Sequence, residues 1–317
     1  METKVRPATW KTLLAFAVVY FVWGSTFLAI RVGVREMPPL LMAGMRFLAA
    51  GAVLFGWMLG TGTPLPAPRE WAAASFLAVL IFVVDYGLLF WAEQKVPSGI
   101  AAVMMATIPV FISLLEIIFL RTQRLTLRLA VALLVGVLGV AILMSHSLAF
   151  GEAPIAGTGA AALLIGSVSW SAAAILTRKL PLPASEAMSS AAQMVCGGAL
   201  LMLAAAILGE LHGFRAQAIS RGAWFALVYL IVAGSIVGFT AYVWLIHHES
   251  PTKVSTYAYV NPVVAVLLGY FVGGEVIGPR TLLGTLLVLV SVILITTMPV
   301  KRQGSPVLAP KLEQVRE

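Results

Sequence analysis

The sequence predicts an all-α membrane protein: ten transmembrane helices arranged as two inverted five-helix repeats. Three observations predict it. Of the 317 residues, 60% are hydrophobic and 11% charged, against about 25% charged in a soluble domain. Too few charges remain to clothe a water-facing surface. Ten apolar runs are each close to the ~20 residues that cross a ~30 Å hydrocarbon core. The first half of the chain also matches the second at a steady offset. An ordinary soluble enzyme, a disordered chain and a nucleic-acid module are excluded. The net charge of +8 comes from Lys and Arg confined to short breaks between apolar runs, so no nucleic-acid partner is expected.

The spans follow in order. A short segment, 1–11, carries Lys4, Arg6 and Lys11. The run 12–30 is longer than a signal-peptide core and ends Phe27-Leu28-Ala29-Ile30-Arg31 without a small-x-small cleavage site, so it reads as an uncleaved first span. Pro38-Pro39 introduces 39–59, Pro64 to Pro68 precede 71–93, and Pro97 precedes 98–120. The run 126–145 closes a first repeat of 12–146. After Pro154 come 156–177, then Pro181 and Pro183 before 186–208, and then 222–246. Pro251 precedes 254–273 and Pro279 precedes 281–299, which closes a second repeat of 156–299. A polar tail, 300–317, follows. With the N-terminus placed in the cytoplasm, fourteen Lys and Arg fall in inside segments, six fall outside, and Arg46 lies within a span. That bias puts both termini in the cytoplasm.

The halves correspond residue by residue. Trp23-Gly24-Ser25 followed by Arg31 matches Trp170-Ser171-Ala172 followed by Arg178 at an offset of 147 residues. The same offset takes Arg46 to Gln193 and Gly51 to Gly198. From the third span on the offset is 153, pairing Trp91 with Trp244 and Pro109 with Pro262. Five spans per half is an odd number, so the halves lie in opposite orientation. An inverted repeat is a secondary-transporter architecture, with the site where the halves meet.

Tyr20-Phe21-Val22-Trp23-Gly24-Ser25-Thr26, Met42-Ala43-Gly44-Met45-Arg46-Phe47, the stretch from Ala92-Glu93-Gln94 to Ala102, Tyr257-Ala258-Tyr259-Val260-Asn261-Pro262-Val263 and Gly274-Glu275 together resemble the EamA family of the drug/metabolite transporter superfamily. The resemblance runs from about Leu13 to Pro299. It implies ten helices, two EamA repeats, cytoplasmic termini and a multi-pass place in a bacterial inner membrane. It also implies efflux of a small-molecule substrate, often amino acid export, with membrane lipid as the other partner. One departure stands out: the fourth span ends Leu120-Arg121-Thr122, so only the second half carries the Gly-Glu pair.

Several residues are candidates for the substrate site. Pro109 and Pro262 sit near the middle of spans four and nine. Each removes a helical hydrogen bond, and matched breaks in two repeats point to a central site; tolerated kinks are the plainer reading. Tyr257 and Asn261 share a helix face as i and i+4 and can orient a polar substrate or serve as interhelical glue. Tyr259 points elsewhere. Trp23 and Trp170 lie inside their spans and are repeat partners, fit to wall a cavity or to pack closely. Arg46 and Asp85 are the strong charges well inside spans, each roughly 10–12 Å deep. They are expected either to form a structural ion pair, or to leave Asp85 facing the cavity to handle protons or a cationic substrate. Glu93 sits at a span end, where solvation is the plain expectation. The pairs Gly56/Gly60, Gly234/Gly238 and Gly269/Gly273 read as packing contacts.

No enzyme constellation is present: no Walker loop, no metal-binding helix and no nucleophile elbow occur. The single Cys196 makes neither a disulfide framework nor a metal cluster. No cofactor is expected beyond possible coupling to protons, and no pattern sets an oligomeric state. The alternatives are a passive facilitator or channel for small solutes, or a membrane-embedded lipid enzyme. A channel would carry a continuous polar stripe, and a lipid enzyme a cluster of His or acidic residues at headgroup level.

Overall fold

The computed structural model describes residues 9–120, 125–145, 157–177, 179–249, 254 and 256–297, and all regular structure among them is helical. Seven helices are long and apolar enough to cross a membrane: α1 (Thr9–Gly33), α2 (Pro39–Gly60), α3 (Pro68–Ala92), α4 (Ser98–Phe119), α6 (Gly157–Thr177), α7 (Glu186–Ile207) and α8 (Arg221–Leu245). Three more carry shorter apolar stretches: α5 (Leu127–Ser145), α9 (Tyr257–Phe271) and α10 (Pro279–Thr296). Segment 1–8, the tail 298–317, Pro251 and Arg178, the repeat partner of Arg31, lie outside the described residues.

Local chemistry sets the helix ends. Pro39, Pro68 and Pro279 occupy first helical positions, where a missing N–H costs nothing. The Ser185 and Ser220 side chains accept from the main-chain N–H groups of Met188 and Ala223 at 3.3 and 3.2 Å, caps worth ~1 kcal/mol each. α2 and α7 terminate identically. Gly62 and Gly209 adopt φ of 82° and 79°. The following N–H groups, of Thr63 and Glu210, donate back to Met58 and Ala205 O at 3.0 and 2.8 Å. This glycine-led closure recurs at the offset of 147 found in the sequence.

The packing is small inside and bulky outside. Fully buried positions are rich in alanine, while Trp57, Phe119, Leu134, Phe225 and Phe271 are each at least 70% exposed, as side chains solvated by lipid are. Close helix approach needs small residues, and the critical ones are Gly51 and Gly198. A Cβ on Gly51 would meet Val195 N at 2.8 Å, and one on Gly198 would fall on the Leu48 main chain, with Leu48 Cα at 2.7 Å. Val195 is the repeat partner of Leu48, so each glycine touches the other's equivalent neighbour. Gly234 and Gly238 pack against Thr26 and Trp23, and Gly269 against Glu275. Gly56 and Gly60 meet nothing within 4 Å; their expected packing contact is corrected, because that face of α2 points outward.

The main helix pairings recur when the halves are exchanged, although α4 also meets α1 and α10 with no comparable contact of α9 with α6 or α5 among the described residues. α2 packs on α7 and α5 on α10, each the counterpart of the other. α1 packs on α8 and α9 just as α6 packs on α3 and α4. α4 and α9 also meet. α3 and α8 each contain a π-helical stretch, Val79–Tyr86 and Leu230–Val237. The prolines differ. Pro109 starts the second segment of α4, after a turn at Ala106 and Thr107, whereas Pro262 sits inside an unbroken α9. The expected matched break is present in one repeat only.

Candidate functional site

The π-helical stretches of α3 and α8 face the middle of the bundle, where widened turns redirect side chains and often mark functional sites. Between them lies Arg46 of α2, 3% exposed. Its Nε donates to Ser235 Oγ on α8 at 3.0 Å. Its guanidinium lies 4.7 Å from the Phe47 ring, 5.4 Å from Tyr86 and 6.0 Å from Phe90, the aromatic faces that attract a cation. Gly234 leaves it room: a Cβ there would stand 3.3 Å from Nη2. Nη1 is buried without a hydrogen-bond partner.

Asp85 does not meet it. Asp85 is 1% exposed and turned against Gly166 of α6, whose missing side chain makes the space. Its Oδ1 has no hydrogen-bond partner. The ion pair expected of Arg46 and Asp85 is therefore corrected. The helix presents the neighbouring Tyr86 to Arg46 and directs Asp85 to α6.

Two aromatic groups flank this centre. Trp23 of α1 donates from Nε1 to Gly234 O at 3.2 Å and lies 5.1 Å from Tyr242 and 5.2 Å from Tyr257. Tyr242 and Tyr257 meet edge-on at 5.8 Å. On the other side Trp170 of α6 lies 6.0 Å from Tyr86, which stacks on Phe82 and touches Phe47 at 4.6 Å. Trp23 leans on α8 as Trp170 leans on α3, the same relation with the halves exchanged. Asn261 is buried; with its amide nitrogen as donor it reaches the main-chain oxygens of Tyr257 and Tyr20 at 3.3 and 3.2 Å. It ties α9 to α1. Ser171 Oγ donates to Ile108 O at 3.1 Å, beside Pro109. The structure thus gathers Trp23 and Tyr257, and separately Trp170 with the neighbour of Asp85. Ser235, Tyr86 and Tyr242 were not singled out in the sequence; nothing short of the fold marks them.

The near face is where α1 begins and the far face where it ends. On the far face three carboxylates of one half sit at helix N-termini of the other. Glu36 accepts from Ser220 N and Oγ, both at 2.7 Å, at the start of α8. Glu210 accepts from Leu41 N at 2.8 Å at the start of α2. Glu275 accepts from Ser98 N and Oγ at 2.7 Å and from Gly99 N at 3.1 Å at the start of α4. Orphan N–H groups and the helix dipole both favour such charge. The Ser220 backbone hydrogen bond, then the hydroxyl one, hold the Glu36 carboxyl below the usual glutamate range. A cleft of about 430 Å³ opens beside Glu36, Glu210, His212, Phe214 and Arg215. Glu93 is 0% exposed. Its expected solvation is corrected, because the turn after α3 folds it inward beside Arg31.

A family model described as the EamA-like transporter family matches residues 10–145 and again 157–297. The chain is 38% identical over 302 residues to the uncharacterized inner membrane transporter YedA of Escherichia coli (strain K12), covering 94% of this chain and 95% of that one. It is 26% identical to Protein PecM of Dickeya dadantii, covering 86% and 88%. It is 24% identical to the uncharacterized transporter YoaV of Bacillus subtilis, covering 88% and 94%. One solved crystal structure superposes with a TM-score of 0.59 at 21% identity, over 91% of this chain and 96% of that one, a likeness of fold.

Proposed function

Because this chain belongs to the EamA-like transporter family, we propose that it is a secondary transporter that exports small metabolites, amino acids or related compounds, by alternating access. The family and the YedA relative are transporters, not enzymes. In this reading all ten helices span a bacterial inner membrane, the halves are inverted, both termini are cytoplasmic and the far face is periplasmic. The observation that carries it is the recurrence of the main helix pairings when the halves are exchanged. Two halves that interchange their contacts can interchange their conformations, which moves a central site from one face to the other. The centre suits the substrate class. Arg46 offers a buried, unpartnered Nη1 to a carboxylate, the charge-assisted contact guanidinium makes best. Trp23, Tyr242 and Tyr257 offer apolar faces to a side chain, and Trp170, Pro109, Pro262, Asn261 and Asp85 lie on the elements that this reading requires to move.

The test is uptake of a panel of radiolabelled amino acids into inside-out vesicles carrying the full chain, with and without an imposed proton gradient. Saturable uptake of at least one compound, lost in Arg46→Ala at equal abundance, is the expected result. No uptake of any panel member above empty vesicles would overturn the substrate class, and gradient-independent equilibration would favour the passive facilitator.

A further inference from the structure

We propose that Glu93 binds and releases a proton during the transport cycle. The inference rests on the transporter reading above and supplies the coupling ion and residue that reading lacks. Glu93 lies in the turn after α3, wholly buried, and neither carboxyl oxygen has a hydrogen-bond partner. Among the described residues the charges that bear on it are Arg31 of α1, Arg46 of α2 and Glu275 in the loop before α10, with Arg35 bearing on Arg31. Arg31 is the nearest cation, yet its Nη1 donates to the main-chain oxygen of Glu93, not to the carboxyl. The Arg31 Nε is itself buried with no partner.

This arrangement is half-made. An ionised carboxylate sealed from water without a donor is strongly disfavoured, while a neutral carboxyl is tolerated far better. The closed geometry therefore holds the proton on Glu93. Its neighbour controls the other state. Glu275, which bears on Glu93, anchors the start of α4 through Ser98 and Gly99. Loosening that contact admits water to the turn between α3 and α4. The Glu93 O–H bond then breaks, the proton passes to water, and the carboxylate left behind takes the free donors of Arg31. Closing reverses each step. Arg31 is placed for both states because it already touches the same residue through the peptide oxygen.

The experiment uses the full chain in vesicles of phosphatidylethanolamine and phosphatidylglycerol, and follows the carbonyl absorption of protonated carboxyls by infrared difference spectroscopy as pH is stepped. Wild type should show titrating carboxyl bands, E93Q should lose one of them, and D85N should lose a different one. An E93Q spectrum identical to wild type overturns the assignment. Where E93Q yields no folded protein, R31Q decides. Removing the cation disfavours the carboxylate, so the Glu93 band should persist to higher pH, and an unmoved midpoint overturns the proposal. Amino-acid flux in the same vesicles separates the two readings. If wild type moves no panel member, the transporter reading fails while the spectra still decide Glu93. If gradient-driven flux is intact in E93Q, the proton role fails and the transporter reading stands.

Discussion

Gly198→Ala should part the two halves where they cross most closely. A Cβ there meets Leu48 Cα at 2.7 Å, and an unstrained Cβ keeps about 3.4 Å or more, so α7 and α2 must separate by at least about 0.7 Å. The obstruction is main chain, which no rotamer change relieves. Overpacking of this kind costs ~1–3 kcal/mol, and a gap of that size also forfeits roughly a quarter or more of each nearby dispersion contact. Gly51→Ala is the symmetry-related change and should cost less. Its nearest atoms, Val195 N at 2.8 Å and Met194 Cβ at 2.9 Å, are less close and include a side chain. The double variant should cost less than the sum, since helices already parted accept the second methyl group. The assay is the midpoint of thermal unfolding of purified full-length protein in detergent. A Gly198→Ala midpoint equal to wild type, or a larger loss from Gly51→Ala, would refute the crossing geometry.

Four further outcomes are expected. In a Cys196→Ser background, a cysteine at buried Ile100 should label faster with a membrane-impermeant maleimide when Glu275→Ala removes the anchor of α4; unchanged labelling would show that Glu275 does not hold the far face. The stability advantage of wild type over Glu36→Gln should be full above the ordinary glutamate value of about 4.3. It should vanish as pH falls through the lower folded value, because a carboxyl depressed in the folded state loses its contribution on protonation; an equal gap in acid and neutral buffer would contradict the Ser220 contact. Asp85→Asn combined with Arg46→Gln should show added losses in folded abundance, since the two are not partners, and recovery in the double variant would restore the ion pair. Pro109→Ala should impair amino-acid flux more than Pro262→Ala at equal abundance, because only Pro109 follows a break in its helix; equal effects would sink that distinction.

The helices were legible because crossing a membrane is a demand on length and apolarity, both of which composition carries. The repeat was legible from Trp23 with Trp170 and Gly51 with Gly198, and the fold confirms its physical content in the reciprocal contacts of Gly51 and Gly198. What escaped the sequence is rotation about the helix axis. Residue counting puts Arg46 and Asp85 at one depth, but the π-helical stretch ending at Tyr86 settles which neighbour faces Arg46, and no hydropathy pattern encodes that. Glu93 escaped for a related reason. A charged residue ending an apolar run looks solvated until the turn that buries it is known. The Gly274-Glu275 pair stood out as a motif, yet its partners, Ser98 and Gly99, lie 177 and 176 residues away and only the fold supplies them.

The carboxylates that cross between halves on the far face have a consequence for how often that face opens. A carrier built from two interchangeable halves would, by symmetry, be indifferent to which side it exposes. On the proposed reading, Glu36, Glu210 and Glu275 weigh toward a closed far face. A difference of ~1.4 kcal/mol already skews the two populations tenfold, and about 5.5 kcal/mol carries the ratio from 1:99 to 99:1. On the proposed alternating-access reading, the unloaded molecule would rest with its far side shut. On that reading, opening the far side requires the release of three acids from three helix ends. A ligand speeds that event only to the extent that it binds the opened state more tightly than the closed one.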